Sequence, residues 1–300
     1  MITYISDADI RNLHLSPLLW MDWVKEALLL KGSSLLPHKI SIVYGEGKFL
    51  NTMPAVVPPL NAMGVKIVNR YPERVPTIEG QILFYNFENG SLTHILDAAW
   101  ITTARTGAVC GLAVDTLAVK DFSTVAILGL GNTGKASMAC VLESNKNRKL
   151  KIKVLRYKDQ AEKFIEYFKE YTNASFEICT DMHQLIENSD VVISCITYTS
   201  TLLAEVDWFK PGCLLVPVHT RGFQNCDLVF DKVFGDDTGH ISTFQYFNQF
   251  KSFGELGDVL QQKISGRENS EERILSYNIG LAMHDIVFSK HIIRLANQCD

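Results

Sequence analysis

The sequence predicts an α/β fold in two parts: a parallel-stranded part that binds a dinucleotide, and a mixed part rich in hairpins. Three observations carry this. Residues 125–134 read Val-Ala-Ile-Leu-Gly-Leu-Gly-Asn-Thr-Gly, four apolar residues running into Gly-x-Gly-x-x-Gly. Beyond them, apolar runs of strand length alternate with stretches of helical spacing, the pattern of a parallel sheet with crossover helices. Before them, in the first 100 residues, short β runs are separated by turn signals, the pattern of antiparallel hairpins.

Composition narrows the class. A chain of 300 residues exceeds one typical domain, so two are expected. With 47% hydrophobic and 21% charged residues, it can build a substantial core. A net charge of −4 argues against nucleic acid or an anionic membrane as the main partner. The seven cysteines, at 110, 140, 179, 195, 213, 226 and 299, show neither CxxC pairs nor zinc spacing, and read as buried thiols of a reducing compartment. No metal is expected. There is no basic-then-apolar leader layout and no apolar run of about 18 residues, so a cytoplasmic place is expected.

In chain order, 2–5 reads as a strand, and 7–15 and 18–31 as helices closed by Gly32 and Pro37. Strands are expected at 40–44 and 48–53, with Gly45-Glu46-Gly47 as the turn, then at 63–68, 80–87 and 92–96, the last two joined by Glu88-Asn89-Gly90-Ser91. Residues 101–119 form a helix rich in small residues. After the glycine motif come a helix at 135–142 and a strand at 150–155. A helix at 160–171, a strand at 175–179, a short helix at 182–187 and a buried strand at 190–195 follow. A strand at 213–218 ends in His219-Thr220-Arg221-Gly222, and 232–234 reads as the last strand. Helices at 255–264 and 279–296 close the chain, the latter expected to pack on the first part.

Each glycine of the motif has a physical task. Gly129 permits the tight turn, Gly131 lets backbone approach a pyrophosphate, and Gly134 lets helix and strand pack closely. The N–H groups of Asn132, Thr133 and Gly134 then face the phosphates with the helix's partial positive charge. At the tip of the next strand, where a carboxylate would hold the ribose hydroxyls of NAD, the chain has Arg156-Tyr157-Lys158. Basic residues there suit a 2′-phosphate, so the cofactor expected is NADP or NAD, with NADP favoured. Thr197 begins the polar run at the carboxyl end of the 190–195 strand, where open α/β sheets place ligands.

Lys66 interrupts an apolar strand. It is either a snorkelling side chain on a half-exposed strand or a lysine that holds a carboxylate or polarises a carbonyl. Arg105 and Thr106, in the first turns of the small-residue helix, are either part of a structural ion pair or an anion site. His219 is either a surface-loop residue or an acid–base group.

Together these residues resemble the ornithine cyclodeaminase/μ-crystallin family over nearly the whole chain. The matching landmarks are Met53-Pro54, Gly64-Val65-Lys66, Arg105-Thr106-Gly107-Ala108, Gly129-x-Gly131, Pro211-Gly212, Gly254-Glu255-Leu256 and Gly280-Leu281-Ala282-x-x-Asp285. The resemblance implies a Rossmann dinucleotide-binding domain (118–271) inserted into an α+β substrate-binding and dimerisation domain (1–117 with 272–300). It also implies a homodimer and a small amino-acid or imino-acid substrate. Lys66 matches the family's active-site lysine, and Arg105 the arginine that grips the substrate carboxylate. The chain departs at three places. Lys39 stands near the position of a family arginine, Thr133 replaces a common glutamine, and Arg221 falls where the family has its catalytic aspartate, unless Asp227 fills that role. A guanidinium cannot take a proton at neutral pH. The activity implied is therefore NAD(P)-dependent hydride transfer at the α-carbon of an amino acid or its imine, as in an amino-acid dehydrogenase, ketimine reductase or opine-type enzyme. The alternatives are ornithine cyclodeamination proper, or a crystallin-like protein that binds nucleotide and small ligand without turnover.

Overall fold

The computed structural model describes every residue except His38, Thr197, Tyr198, His219, Thr220 and Asp300, and leaves aside the side chain of Cys299. The chain divides into two compact units, Met1–Arg105 with Gly280–Asp300, and Thr106–Ile279. The sequence reading places these junctions at 117/118 and 271/272.

The first unit is built on a six-stranded sheet among the described residues. Its strands are β1 (Thr3–Ile5), β2 (Ile40–Val43), β3 (Phe49–Val57), β4 (Ala62–Arg70), β5 (Ile78–Tyr85) and β6 (Leu92–Asp97), in the order β1-β6-β5-β4-β3-β2. β2 to β6 pair antiparallel, as hairpin turns demand, and β1 joins β6 in parallel. Helices α1 (Asp7–Asn12) and α2 (Pro17–Leu30) start where Ser6 and Ser16 cap the first backbone N–H groups. The C-terminal helix α9 (Ala282–Cys299) packs on β3, β4 and α2, as expected. Trp23 of α2 meets Phe288 of α9 edge to face, with ring centroids 5.0 Å apart.

Helix α3 (Ala98–Leu117) carries the chain across the junction at Arg105/Thr106. The second unit holds an eight-stranded sheet among the described residues, ordered β13-β12-β14-β11-β10-β7-β8-β9. These strands are β7 (Thr124–Leu128), β8 (Leu150–Leu155), β9 (Ala174–Cys179), β10 (Val191–Ser194), β11 (Leu214–Pro217), β12 (Lys232–Gly235), β13 (Phe253–Glu255) and β14 (Ile274–Tyr277). All pair in parallel, with helices α4 (Asn132–Ser144), α5 (Gln160–Tyr167), α6 (Met182–Ile186), α7 (Thr238–Ile241) and α8 (Leu256–Leu260) between them in sequence. The chain leaves β7 toward β8 and β9, then returns to β10 on the other side of β7. The strand order therefore reverses at the carboxyl ends of β7 and β10, the place where such sheets bind ligands.

Two expectations fail here. The strand at 232–234 is not the last, because β13 and β14 follow it, and β14 sits between β11 and β12. Four buried residues with Ser276 among them offer no alternation to read. The helix expected over 255–264 contracts to α8, as Gly254 and Glu255 are drawn into β13. Among the described side chains Cys110, Cys140, Cys179, Cys195, Cys213 and Cys226 are buried and form no disulfide, as expected of buried thiols. No helix among the described residues is long and apolar enough to cross a membrane.

Candidate active site

In the first unit, the buried positions of β4 include Ala62, Lys66 and Val68, the face turned to α9. Period two calls for an apolar residue at 66, and the chain puts a lysine there, 1% exposed. The half-exposed, snorkelling reading of Lys66 is thereby excluded. Its Nζ lies 2.7 Å from Oδ2 of Asp285, a fully buried residue in the first turn of α9. Arg105 reaches the same carboxylate, with Nε 3.3 Å from Oδ1. The Lys66 contact is the short, charge-assisted one, and the Arg105 contact is the longer ion pair. Burial, then the Arg105 guanidinium, brings Lys66 from 10.5 down to about 8; Asp285 pulls upward and Lys39 adds a smaller downward push.

Arg105 does not stand in the first turns of its helix. α3 begins at Ala98, so the N–H groups near Arg105 are already used inside the helix. The anion-attracting feature is thus the guanidinium and not the helix terminus. What seats it is Gly280. That residue has φ +82°, and a Cβ there would overlap Arg105 Nη1. Two cations and one anion leave this cluster one net positive charge, which suits a single carboxylate. Sequence reading singled out Lys66 and Arg105 and used Asp285 only as a landmark. It passed over His284, wholly buried beside them.

In the second unit, Gly129 has φ +81°, and a Cβ there would overlap the backbone of Cys195 and Ile196 just beyond β10. At Gly134 a Cβ would overlap the carbonyl oxygen of Gly129. Gly131 differs, with nothing within 4 Å of a Cβ and its residue exposed. Its absent side chain answers to no neighbour in the chain, which fits the approach of a pyrophosphate. It also serves as the N-cap of α4, which has no side-chain cap, so the first-turn N–H groups of exposed Asn132 and half-buried Thr133 keep their donors for an anion. Thr106 is half-buried in α3.

At the tip of β8, Arg156 Nη1 lies 2.7 Å from Glu162 Oε1. Lys158 adopts φ +52° with Nζ 5.4 Å from the centroid of the exposed Tyr157 ring. The basic tip is real, but its arginine already has an acidic neighbour, which the sequence reading did not weigh. Arg221 is exposed on the loop after β11. His219 and Thr197 lie outside the described residues. Asp227 is 1% exposed and accepts a 2.6 Å hydrogen bond from Tyr277 Oη, while burial raises its carboxyl to about 6.

Comparison with known proteins identifies the family and the fold. The model of the ornithine cyclodeaminase/mu-crystallin family matches residues 14–298. The chain is 27% identical over 262 residues to a Delta(1)-pyrroline-2-carboxylate reductase of Bacillus cereus, covering 81% of this chain and 80% of that protein. It is 26% identical to the ketimine reductase mu-crystallin of Macropus fuliginosus, with 81% and 79% covered. Among solved structures, the Delta(1)-pyrroline-2-carboxylate reductase of Thermococcus litoralis, in complex with NADH and L-proline, superposes with a TM-score of 0.89 over 99% of this chain and 98% of its own, at 23% identity.

Proposed function

The chain belongs to the ornithine cyclodeaminase/mu-crystallin family, and we propose that within it the protein reduces the C=N bond of a cyclic 2-imino carboxylate, of the pyrroline-2-carboxylate kind, using a nicotinamide dinucleotide. The observation that carries this is the buried Lys66–Asp285–Arg105 cluster with its single surplus positive charge. The cofactor, when bound, would supply the hydride that adds to the carbon of the protonated imine, leaving the secondary amine. The chain's residues do the rest. Backbone N–H groups of Asn132, Thr133 and Gly134 hold the pyrophosphate. Arg156, Tyr157 and Lys158 line the ribose end and favour NADP(H), a preference that Glu162 tempers by holding Arg156. Arg105 and Lys66 grip the carboxylate and fix the imine carbon. Their joint positive charge also favours electron flow toward that carbon during reduction.

Arg221 weighs against ornithine cyclodeamination. That reaction needs a base at the substrate amine, and a guanidinium is never one at neutral pH. The buried Asp227 is engaged by Tyr277. Arg221 instead suits a second anionic group on the substrate, as in opine-type chemistry. Ornithine with catalytic NAD⁺, followed for proline and ammonia, separates the readings. No proline is expected, and robust proline formation overturns the assignment to a reductase. The first unit also supports a homodimer, since edge strand β2 exposes Ile40, Ile42 and Val43. Light scattering should show a dimer at micromolar concentration.

A further inference from the structure

His284 stands one residue before Asp285 in the first turn of α9 and is fully buried. The backbone N–H of Leu281 points at its Nδ1, at 3.5 Å. A donor facing Nδ1 requires a lone pair there, so the ring proton sits on Nε2. That Nε2 is buried and has no hydrogen-bond partner among the described residues. Native proteins leave few buried donors in this state, because each forfeits the free energy of its lost hydration. The ring feels the charges of Arg105 and Lys66, and its neighbour Asp285 is ion-paired to both, so His284 Nε2 is the polar atom beside this cluster left with no ion-pair or hydrogen-bond partner among the described residues.

The charges around the ring decide its form. Burial first, then Arg105, Lys66 and Lys31, push the imidazole well below its usual pKa, so at neutral pH it stays uncharged. A third cation beside Lys66 and Arg105 would be repelled. A neutral N–H donor adds direction without adding charge, and keeps the cluster matched to one carboxylate.

We propose that His284 is a third member of the carboxylate clamp, its Nε2–H donating to an oxygen of the substrate carboxylate that Lys66 and Arg105 hold. This rests on the reading of the first unit as the carboxylate site.

The test uses full-length protein with pyrrole-2-carboxylate, a planar carboxylate that offers no C=N bond to reduce. His284→Leu removes the donor, whereas His284→Gln can place an amide N–H near the position of Nε2. The leucine variant should bind the reduced cofactor as the native protein does and bind the probe about tenfold more weakly. The glutamine variant should regain most of that loss. Equal probe affinity in the leucine variant, or no recovery with glutamine, overturns the proposal. Protein labelled with ¹⁵N-histidine gives a reading without mutation: saturation with the probe should move the His284 Nε2–H resonance, and an unmoved resonance overturns the proposal as well. Failure here is distinct from failure of the reductase reading. Native protein that reduces a cyclic imino acid while probe binding ignores His284 defeats only this inference. Probe binding that depends on His284 without any imine turnover defeats only the reductase.

Discussion

Asp285→Asn removes the counter-charge from two buried cations, and the two cations respond differently. Lys66 can shed its proton, whereas Arg105 cannot. With Asp285 in place Lys66 titrates at about 8. Without it the upward pull is gone while burial and Arg105 remain, so the lysine titrates lower still and sheds its proton at a lower pH than in the native protein. Deprotonation caps the lysine's share of the lost stability at roughly one pH unit, about 1.4 kcal/mol at pH 7. Arg105, left buried without its partner, adds about 1–3 kcal/mol. The lysine's share has a definite sign with pH. Between the variant's lowered Lys66 pKa and about 8, the native protein and both unfolded chains carry the Lys66 proton, and only the folded variant does not. The folded variant thus binds fewer protons than its unfolded chain, and its stability rises with pH. Its deficit relative to the native protein should narrow as pH rises toward 8, by up to about 1.4 kcal/mol per pH unit, then flatten as the native lysine deprotonates too. Urea unfolding of both proteins at pH 6, 7 and 8 measures this. A deficit independent of pH, or a variant as stable as the native protein, refutes the view of Lys66 as a cation held by Asp285.

Three further substitutions probe the remaining parts. Arg105→Ala should cost about 2–5 kcal/mol of kcat/KM for a carboxylate substrate, and near-native kinetics would move the clamp elsewhere. Gly280→Ala places a methyl group against the Arg105 guanidinium at a left-handed backbone position; KM for the imino acid should rise while cofactor affinity stays put, and a parallel loss of both speaks against specific seating. Glu162→Gln releases Arg156 and should raise the NADPH-to-NADH affinity ratio by about fivefold at most, the scale of a surface ion pair; fluorescence titration of both cofactors that returns an unchanged ratio removes Arg156 from the discrimination.

Much of the fold was legible because its signals are local. The apolar run 125–128 and the glycines after it specify strand, turn and helix within a few residues, and the steric roles read for Gly129 and Gly134 are those the structure displays. The hairpins of the first unit follow from turn chemistry in the same way. β14 was not legible, because a four-residue strand flanked by others in space carries no period of its own. The site was half legible. A lysine inside an apolar strand is an anomaly visible in sequence, and so Lys66 stood out. Its partner was not, since Asp285 lies 219 positions away (285 − 66) and meets it only when α9 lies across β4. His284 was hidden for the same reason, as nothing in its neighbours along the chain announces an unpartnered ring nitrogen. Glu162 was hidden too, because the reach of Arg156 across the turn to α5 depends on side-chain geometry.

An imine whose carboxylate is gripped by Lys66 and Arg105 should be reduced only when that carboxylate is present. Oxidation of NADPH and NADH, followed by absorbance with 1-pyrroline-2-carboxylate and in parallel with 1-pyrroline, which has the same C=N bond without the carboxylate, tests it most directly. Turnover of the first and little or none of the second is expected. Oxidation with neither imine, or equal rates with both, would contradict it.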